Sequence, residues 1–264
     1  MRRSIDTVAI MRIDLFSDVL GMSTSMTVIH PQPAERRIGI AGGPARVDAP
    51  VLYLLHGLSD DDTIWARRTS IERYVAALGI VVVMPQGARS FYANEVHGLP
   101  YWTYLTEVVP ATVSSFFHVS TRREDTFLAG VSMGGYGAMK WALRQPDRFA
   151  AVASLSGALD AAHWAHRPDH ELRGDMLRVF DGADIRGTDE DVLHLIDTVD
   201  PGVLPALHVS CGTEDYLLAG SREFIARAQA RGLPVTADLR PGDHDWAFWD
   251  AEIQAILEWL PLAR

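Results

Sequence analysis

The chain has 264 residues, 48% of them hydrophobic and 22% charged, with a net charge of −10. That length supports one large core, and the composition argues against a disordered chain or one built on membrane spans. The acidic balance disfavours nucleic acid and anionic membrane surfaces, which reward clustered Lys and Arg, and says little about a small neutral substrate.

Cys211 is the single cysteine, so no intrachain disulfide can form. The first twenty residues hold no continuous apolar stretch of signal-peptide length, being interrupted by Asp6, Arg12 and Asp14. Together these point to a cytoplasmic protein. No run approaches the roughly 18 apolar residues of a spanning helix.

In chain order, strand-like segments at Arg12–Ser17 and Ser25–His30 flank a turn containing Gly21, and Pro31 and Pro33 are expected to end the second. This predicts an antiparallel edge hairpin. Residues 34–49 read as a surface loop. From Val51 the run VLYLLHG predicts a buried strand, followed by a helix over about Thr69–Leu78 and a second buried strand over Ile80–Met84. Residues 86–101 lack periodicity, and a helix is expected over about Thr103–Phe117.

A strand, a forced turn and a helix are then predicted over Thr126–Leu143, with Ser132 at the turn. Further strands are expected at Ala150–Leu155, Leu204–Ser210 and Val235–Leu239, and helices at Ser221–Arg231 and Trp246–Leu260. Residues 158–203 interrupt this alternation and read as a helical cap inserted between two strands. The expected architecture is α/β: one domain over 1–264, with a mainly parallel sheet, helices on both faces and a small cap.

Gly130-Val131-Ser132-Met133-Gly134 has the G-x-S-x-G spacing of a nucleophile elbow, in which a serine is held on a strained strand-to-helix turn. A serine hydroxyl needs a base to take its proton and a third group to orient that base. On such folds the acid follows a late strand and the histidine follows the last one. His244, in the Gly-containing loop after the final predicted strand, is the expected base. Asp215, in CGTED after the preceding strand, is the favoured acid, with Glu214, Asp243 and Asp245 as alternatives.

An acyl-transfer site also needs two N–H groups aimed at the developing oxyanion. The backbone amides of Met133, next to the nucleophile, and Leu58, in the HGLSDD turn, are expected to supply them. Trp65 and Trp102, near strand ends, are candidate walls of a substrate pocket. His163, His166 and His170 are loosely spaced in a polar insert, so no metal site is expected. His56 reads as a structural donor.

The pieces LLHGLSDDDTIW, VVVMPQG, YWTYLTEVVP, AGVSMGGYGAMKWAL, CGTEDYL and GDHDWAFWD together resemble the esterase D branch of the α/β-hydrolases. That branch includes S-formylglutathione hydrolases, tributyrin-type short-chain esterases, acetyl-xylan and feruloyl esterases, and mycolyltransferases. The resemblance runs from Met11 over most of the chain, and Met11 is read as an alternative start. It implies Ser132 as nucleophile, Asp215 as acid, His244 as base, and the Leu58 and Met133 amides as oxyanion hole. It also implies a small-molecule ester as substrate, no cofactor, and a homodimer of the kind many relatives form. The expected reaction is hydrolysis of short-chain acyl esters through an acyl-enzyme. Acyl transfer of the mycolyltransferase type and thioester hydrolysis of the formylglutathione type are its alternatives.

Overall fold

A computed structural model of the chain describes residues 4–5, 7–32, 43–44, 48–165 and 171–262. Eight strands form one sheet: β1 (Thr7–Ser17), β2 (Met22–Gln32), β3 (Val51–Leu55), β4 (Val81–Pro85), β5 (Thr126–Val131), β6 (Ala151–Leu155), β7 (Ala206–Gly212) and β8 (Val235–Arg240). Their order across the sheet is β8-β7-β6-β5-β3-β4-β2-β1. All neighbours from β8 to β4 run parallel. The pairings β2–β4 and β1–β2 are antiparallel. Ser4–Ile5 and Gly43–Pro44 pair with each other outside this sheet.

The central strands are buried on both faces, which is why they read as continuous apolar runs rather than alternating ones. Their side chains still divide with period two. Val51, Tyr53 and Leu55 of β3 enter one core with Val81 and Val83 of β4, while Leu52, Leu54, Val82 and Met84 enter the other. The first core is covered by α5 (Met133–Arg144), α8 (Val192–Thr198) and α9 (Leu218–Ala230). The second is covered by α1 (Ile64–Arg68), α2 (Ile71–Val75) and α10 (Trp246–Trp259).

The hairpin is longer than the sequence predicts. Its ladder runs from Thr7↔Gln32 to Ser17↔Met22, so the strand begins before Met11 and passes through Pro31. Pro31 is tolerated because the pairing of β2 with β4 stops at Ile29, leaving its missing N–H on an unpaired side. The helix expected over about Thr69–Leu78 is the shorter α2, and a separate helix, α1, precedes it, divided from it at Thr69, which is extended (φ −129, ψ 172). The Thr69 hydroxyl donates to the Trp65 carbonyl at 2.6 Å, closing α1. The run expected over Thr103–Phe117 starts earlier, as α3 (Tyr101–Thr103), a π-helical turn (Tyr104–Val108) and α4 (Val109–Phe116). The wide turn sits just before Pro110, which has no N–H to continue the ladder.

The insert between β6 and β7 contributes α6 (Ala161–Ala165), α7 (Arg173–Phe180) and α8. Residues 166–170 lie outside the described ones, and with them His166 and His170. The insert is fastened to the loop after β4, a link that local sequence patterns do not carry. The Val96 and His97 amides donate to the Val179 and Arg178 carbonyls. Arg89 forks onto Asp175, its shortest contact being 2.6 Å, and Arg178 reaches both Glu95 and Asp175. A second tether reaches α5. Lys140, wholly buried, donates to the Phe91 carbonyl at 3.1 Å and to Glu190 at 2.5 Å, while Tyr136 donates to the Glu190 carbonyl at 2.8 Å. Among the described residues no helix is long and apolar enough to cross a membrane.

Candidate active site

β5 delivers the chain to Ser132 at the carboxyl edge of the sheet, and α5 leaves at once. Ser132 takes φ 56 and ψ −117, a region a side-chain-bearing residue enters only when its surroundings force it. The force is close packing. A Cβ on Gly130 would lie 2.3 Å from the Gly134 carbonyl oxygen, and one on Gly134 would lie 2.5 Å from that of Leu55. Strand and helix therefore pass closer than any side chain permits. The Ser132 amide donates to Leu155 and its carbonyl accepts from Tyr136 and Ala158, so the turn is held on three sides.

His244, in the loop after β8, approaches the Ser132 Oγ to 3.1 Å through Nε2. Its Nδ1 lies 2.9 Å from Asp215 Oδ2. Asp215 is 4% exposed and its Oδ1 accepts from the Leu217 amide at 2.8 Å. Burial alone would raise its carboxyl. Hydrogen bonds from His244, Ser156 and the Leu217 amide outweigh burial and hold it below the ordinary value of 3.8. A carboxylate that stays ionised fixes the tautomer: Nδ1 donates to Asp215 and Nε2 accepts from Ser132.

The other acids weighed as partners of His244 are engaged elsewhere. Glu214 accepts from the Gly242 amide at 2.7 Å and from Thr213, bracing the loop after β7 against the loop after β8. Asp243 accepts from the His244 amide. Asp245 caps α10 by accepting from the Phe248 amide at 2.9 Å.

The turn carrying Leu58 is anchored by His56. Its Nδ1 donates to the Gly57 carbonyl at 2.7 Å and its Nε2 accepts from the Gly87 amide at 2.8 Å, while Tyr92 donates to the His56 carbonyl. Burial lowers the His56 pKa, so the ring stays neutral and keeps both roles. His56 is a structural group, as its place at a strand end implies. Leu58, Ser132 and Met133 line one cavity together, and the amides of Leu58 and Met133 are the candidate oxyanion donors.

That cavity, of about 250 Å³, is lined by Phe91, Met133, Ala158, Trp164, Leu172 and Leu217 beside Ser132. A second, of about 660 Å³, opens from the same serine and is lined by Ser59, Asp60, Arg89, Asp245, Trp246 and Trp249. Leu58, Glu171, Leu172 and Tyr216 border both.

Trp65 and Trp102 line neither cavity, which corrects the expectation that they wall the pocket. Trp65 is 0% exposed in the second core, where its indole N–H donates to the Leu55 carbonyl at 3.1 Å and its ring meets the edge of Trp246. Trp102 is 9% exposed, with the Arg144 guanidinium 4.1 Å above its ring. The aromatic walls are Phe91, Trp164, Tyr216, Trp246 and Trp249. Tyr216 was findable, since it follows Asp215 directly on a loop at the same sheet edge. Cys211, buried behind Asp215, has its thiol pushed up to about 11 by burial and by that carboxylate. No group of three metal-ligating side chains occurs among the described residues.

The sequence pattern of the family described as Putative esterase matches residues 34–260. The chain belongs to that family. An acetyl esterase of Caldicellulosiruptor saccharolyticus is 28% identical over 264 residues, covering 96% of this chain and 98% of the relative. Among solved structures, Staphylococcus aureus fluorophosphonate-binding serine hydrolase F superposes with a TM-score of 0.86 at 32% identity, over 96% of this chain and 98% of that one. An S-formylglutathione hydrolase from the same organism gives 0.82 at 32% identity with the same coverage. The fold is that of an α/β-hydrolase, and this esterase is a serine carboxylic ester hydrolase.

Proposed function

We propose that this esterase hydrolyses esters of short acyl chains with polar, non-anionic alcohols, using Ser132, His244 and Asp215. The observation that carries the reading is the hydrogen-bonded chain Ser132–His244–Asp215, standing where a small apolar cavity meets a larger polar cleft.

The Ser132 Oγ attacks the carbonyl carbon as its proton passes to His244 Nε2, and Asp215 stabilises the imidazolium. The carbonyl oxygen becomes an oxyanion held by the Leu58 and Met133 amides. When the tetrahedral centre collapses, the carbon–oxygen bond to the alcohol breaks and His244 returns the proton to the leaving oxygen. A water molecule then attacks the acyl-Ser132 ester by the same route, releasing the acid.

The apolar cavity takes the acyl group. Its volume of about 250 Å³ falls below the roughly 300–1,000 Å³ of drug-sized ligand sites, which favours short chains. The cleft takes the alcohol, and its carboxylates disfavour an anionic leaving group such as glutathione. Its size also admits an acceptor alcohol in place of water, so product analysis with added acceptor separates transfer from hydrolysis.

The test is hydrolysis of p-nitrophenyl esters from acetate to dodecanoate by the wild type and Ser132→Ala. Activity concentrated at acetate to butyrate and lost in the variant supports the reading. Turnover retained by Ser132→Ala refutes it.

A further inference from the structure

We propose that the outer edge of β1 is the surface through which two copies of this chain pair, joining their eight-stranded sheets edge to edge about a two-fold axis at Ile13. The proposal stands apart from the reading of Ser132, His244 and Asp215 given above.

β1 ends the sheet, and among the described residues β2 is the only strand that pairs with it. An open edge presents a row of N–H and C=O groups to any other strand, so soluble proteins blunt such edges by keeping them short or with Pro, Lys or a bulge. β1 has none of these. It is 11 residues long, TVAIMRIDLFS, and its ladder with β2 runs without a bulge from Thr7↔Gln32 to Ser17↔Met22. One face of the strand is open as well. Ile10 is 46% and Phe16 63% exposed, and Arg12 and Asp14 between them are each more than half exposed.

Along that face the order Ile10, Arg12, Asp14, Phe16 reads apolar, positive, negative, apolar, which is complementary to itself when reversed. Antiparallel pairing with Ile13 opposite Ile13 of a second copy sets Arg12 opposite Asp14 twice and Ile10 opposite Phe16 twice. Arg12 already reaches Asp14 of its own chain at 3.3 Å, so the pairing gathers two charges of each sign around the axis. On the other face Met11, Ile13 and Leu15, partly buried against the first core, meet Leu15, Ile13 and Met11 of the second copy. Other registers fail. A shift of two residues sets Arg12 opposite Arg12 in one direction and Asp14 opposite Asp14 in the other, and like charges directly opposite are destabilising. A shift of one residue sets the charged face of one copy beside the apolar face of the other. The pairing uses the same patch on both copies, so it closes at two. It also reverses the second copy's parallel strands, so the two Ser132 sites open at opposite edges of the joined sheet and neither is covered.

The test is the mass of the full chain by light scattering over a dilution series, for the wild type, Arg12→Asp, Asp14→Arg, the exchange Arg12→Asp/Asp14→Arg, and an equimolar mixture of the two single variants. The wild type is expected at twice the chain mass. Each single variant turns both charge pairs into like charges and should dimerise about tenfold more weakly. The exchange restores opposite charges at both pairs and should dimerise as the wild type does. In the mixture, two positive charges on one chain meet two negative charges on the other, so mixed dimers should form from proteins that separately stay monomeric. Neither residue lines a cavity, so turnover of p-nitrophenyl acetate per chain should hold in every variant, which shows that each is folded. A wild type that is monomeric throughout, single variants as dimeric as the wild type, or a mixture that stays monomeric would overturn the proposal.

Discussion

The two cavities that meet at Ser132 differ in size, polarity and origin. The smaller is walled by Phe91, Met133, Ala158, Trp164 and Leu217, side chains without formal charge. The larger carries Asp60, Asp245 and Arg89, with Glu171 on the border, and the Arg89 charge is already met by Asp175. The cleft therefore faces its ligand with unbalanced carboxylates. On the proposed reading, one nucleophile divides the ester so that the acyl half is sorted by shape and the alcohol half by charge.

The contrast breaks most directly at Trp164, which the insert presents to the small cavity alone. Trp164→Ala is expected to raise kcat/KM for octanoate relative to acetate by about tenfold, the scale set by a few methylenes in an apolar pocket. The ranking of leaving groups should stay as it was. Parallel p-nitrophenyl series give the comparison, and an unchanged acyl profile would show that another wall limits the chain.

Glu190→Gln probes the tether behind that wall. It leaves the buried Lys140 ammonium without its carboxylate, although the amide oxygen and the Phe91 carbonyl still accept. A loss of about 2 kcal/mol, or a fall of about 5 °C in Tm, is expected. Loosening the backbone at Phe91 should broaden acyl selectivity while the alcohol preference holds. Scanning calorimetry and the ester series check both.

The charge of the cleft should give a smaller effect. Among acetate esters of similar size, kcat/KM should fall from cationic through neutral to anionic alcohols, with steps of about threefold that shrink with added salt. Asp60→Asn and Glu171→Gln should compress that order. Asp60 also has a stability signature. Burial raises its carboxyl above 3.8, so the folded state binds a proton more readily than the unfolded one, and ionisation of Asp60 opposes folding above the folded-state pKa. Asp60→Asn should therefore raise Tm slightly, by about 2 °C near neutral pH, and the difference should vanish as pH falls below the unfolded value. A Tm gain that persists in acid would mean the effect is not electrostatic.

The residues of the hydrogen-bonded chain were legible because each sits in a short local pattern. Ser132 lies between glycines that only a strand-to-helix crossing requires, and Asp215 and His244 follow the last two strands. The walls were not legible, because Phe91, Ala158, Trp164, Glu171 and Leu217 come from separate segments whose meeting depends on how the insert folds back. Trp65 and Trp102 misled for a physical reason: a large apolar ring near a strand end is as well placed for the core beneath a site as for the site itself. Trp65 took the core because the Leu55 carbonyl satisfied its N–H. Ser156 read as the end of a strand, since its positive φ has no local signature.

The most direct test of the account is to quench a reaction with p-nitrophenyl butyrate in acid and map the acylated peptide by mass spectrometry. The account predicts a butyryl group on Ser132, and none in Ser132→Ala. Butyrylation at another side chain, or continued turnover by Ser132→Ala, would contradict it.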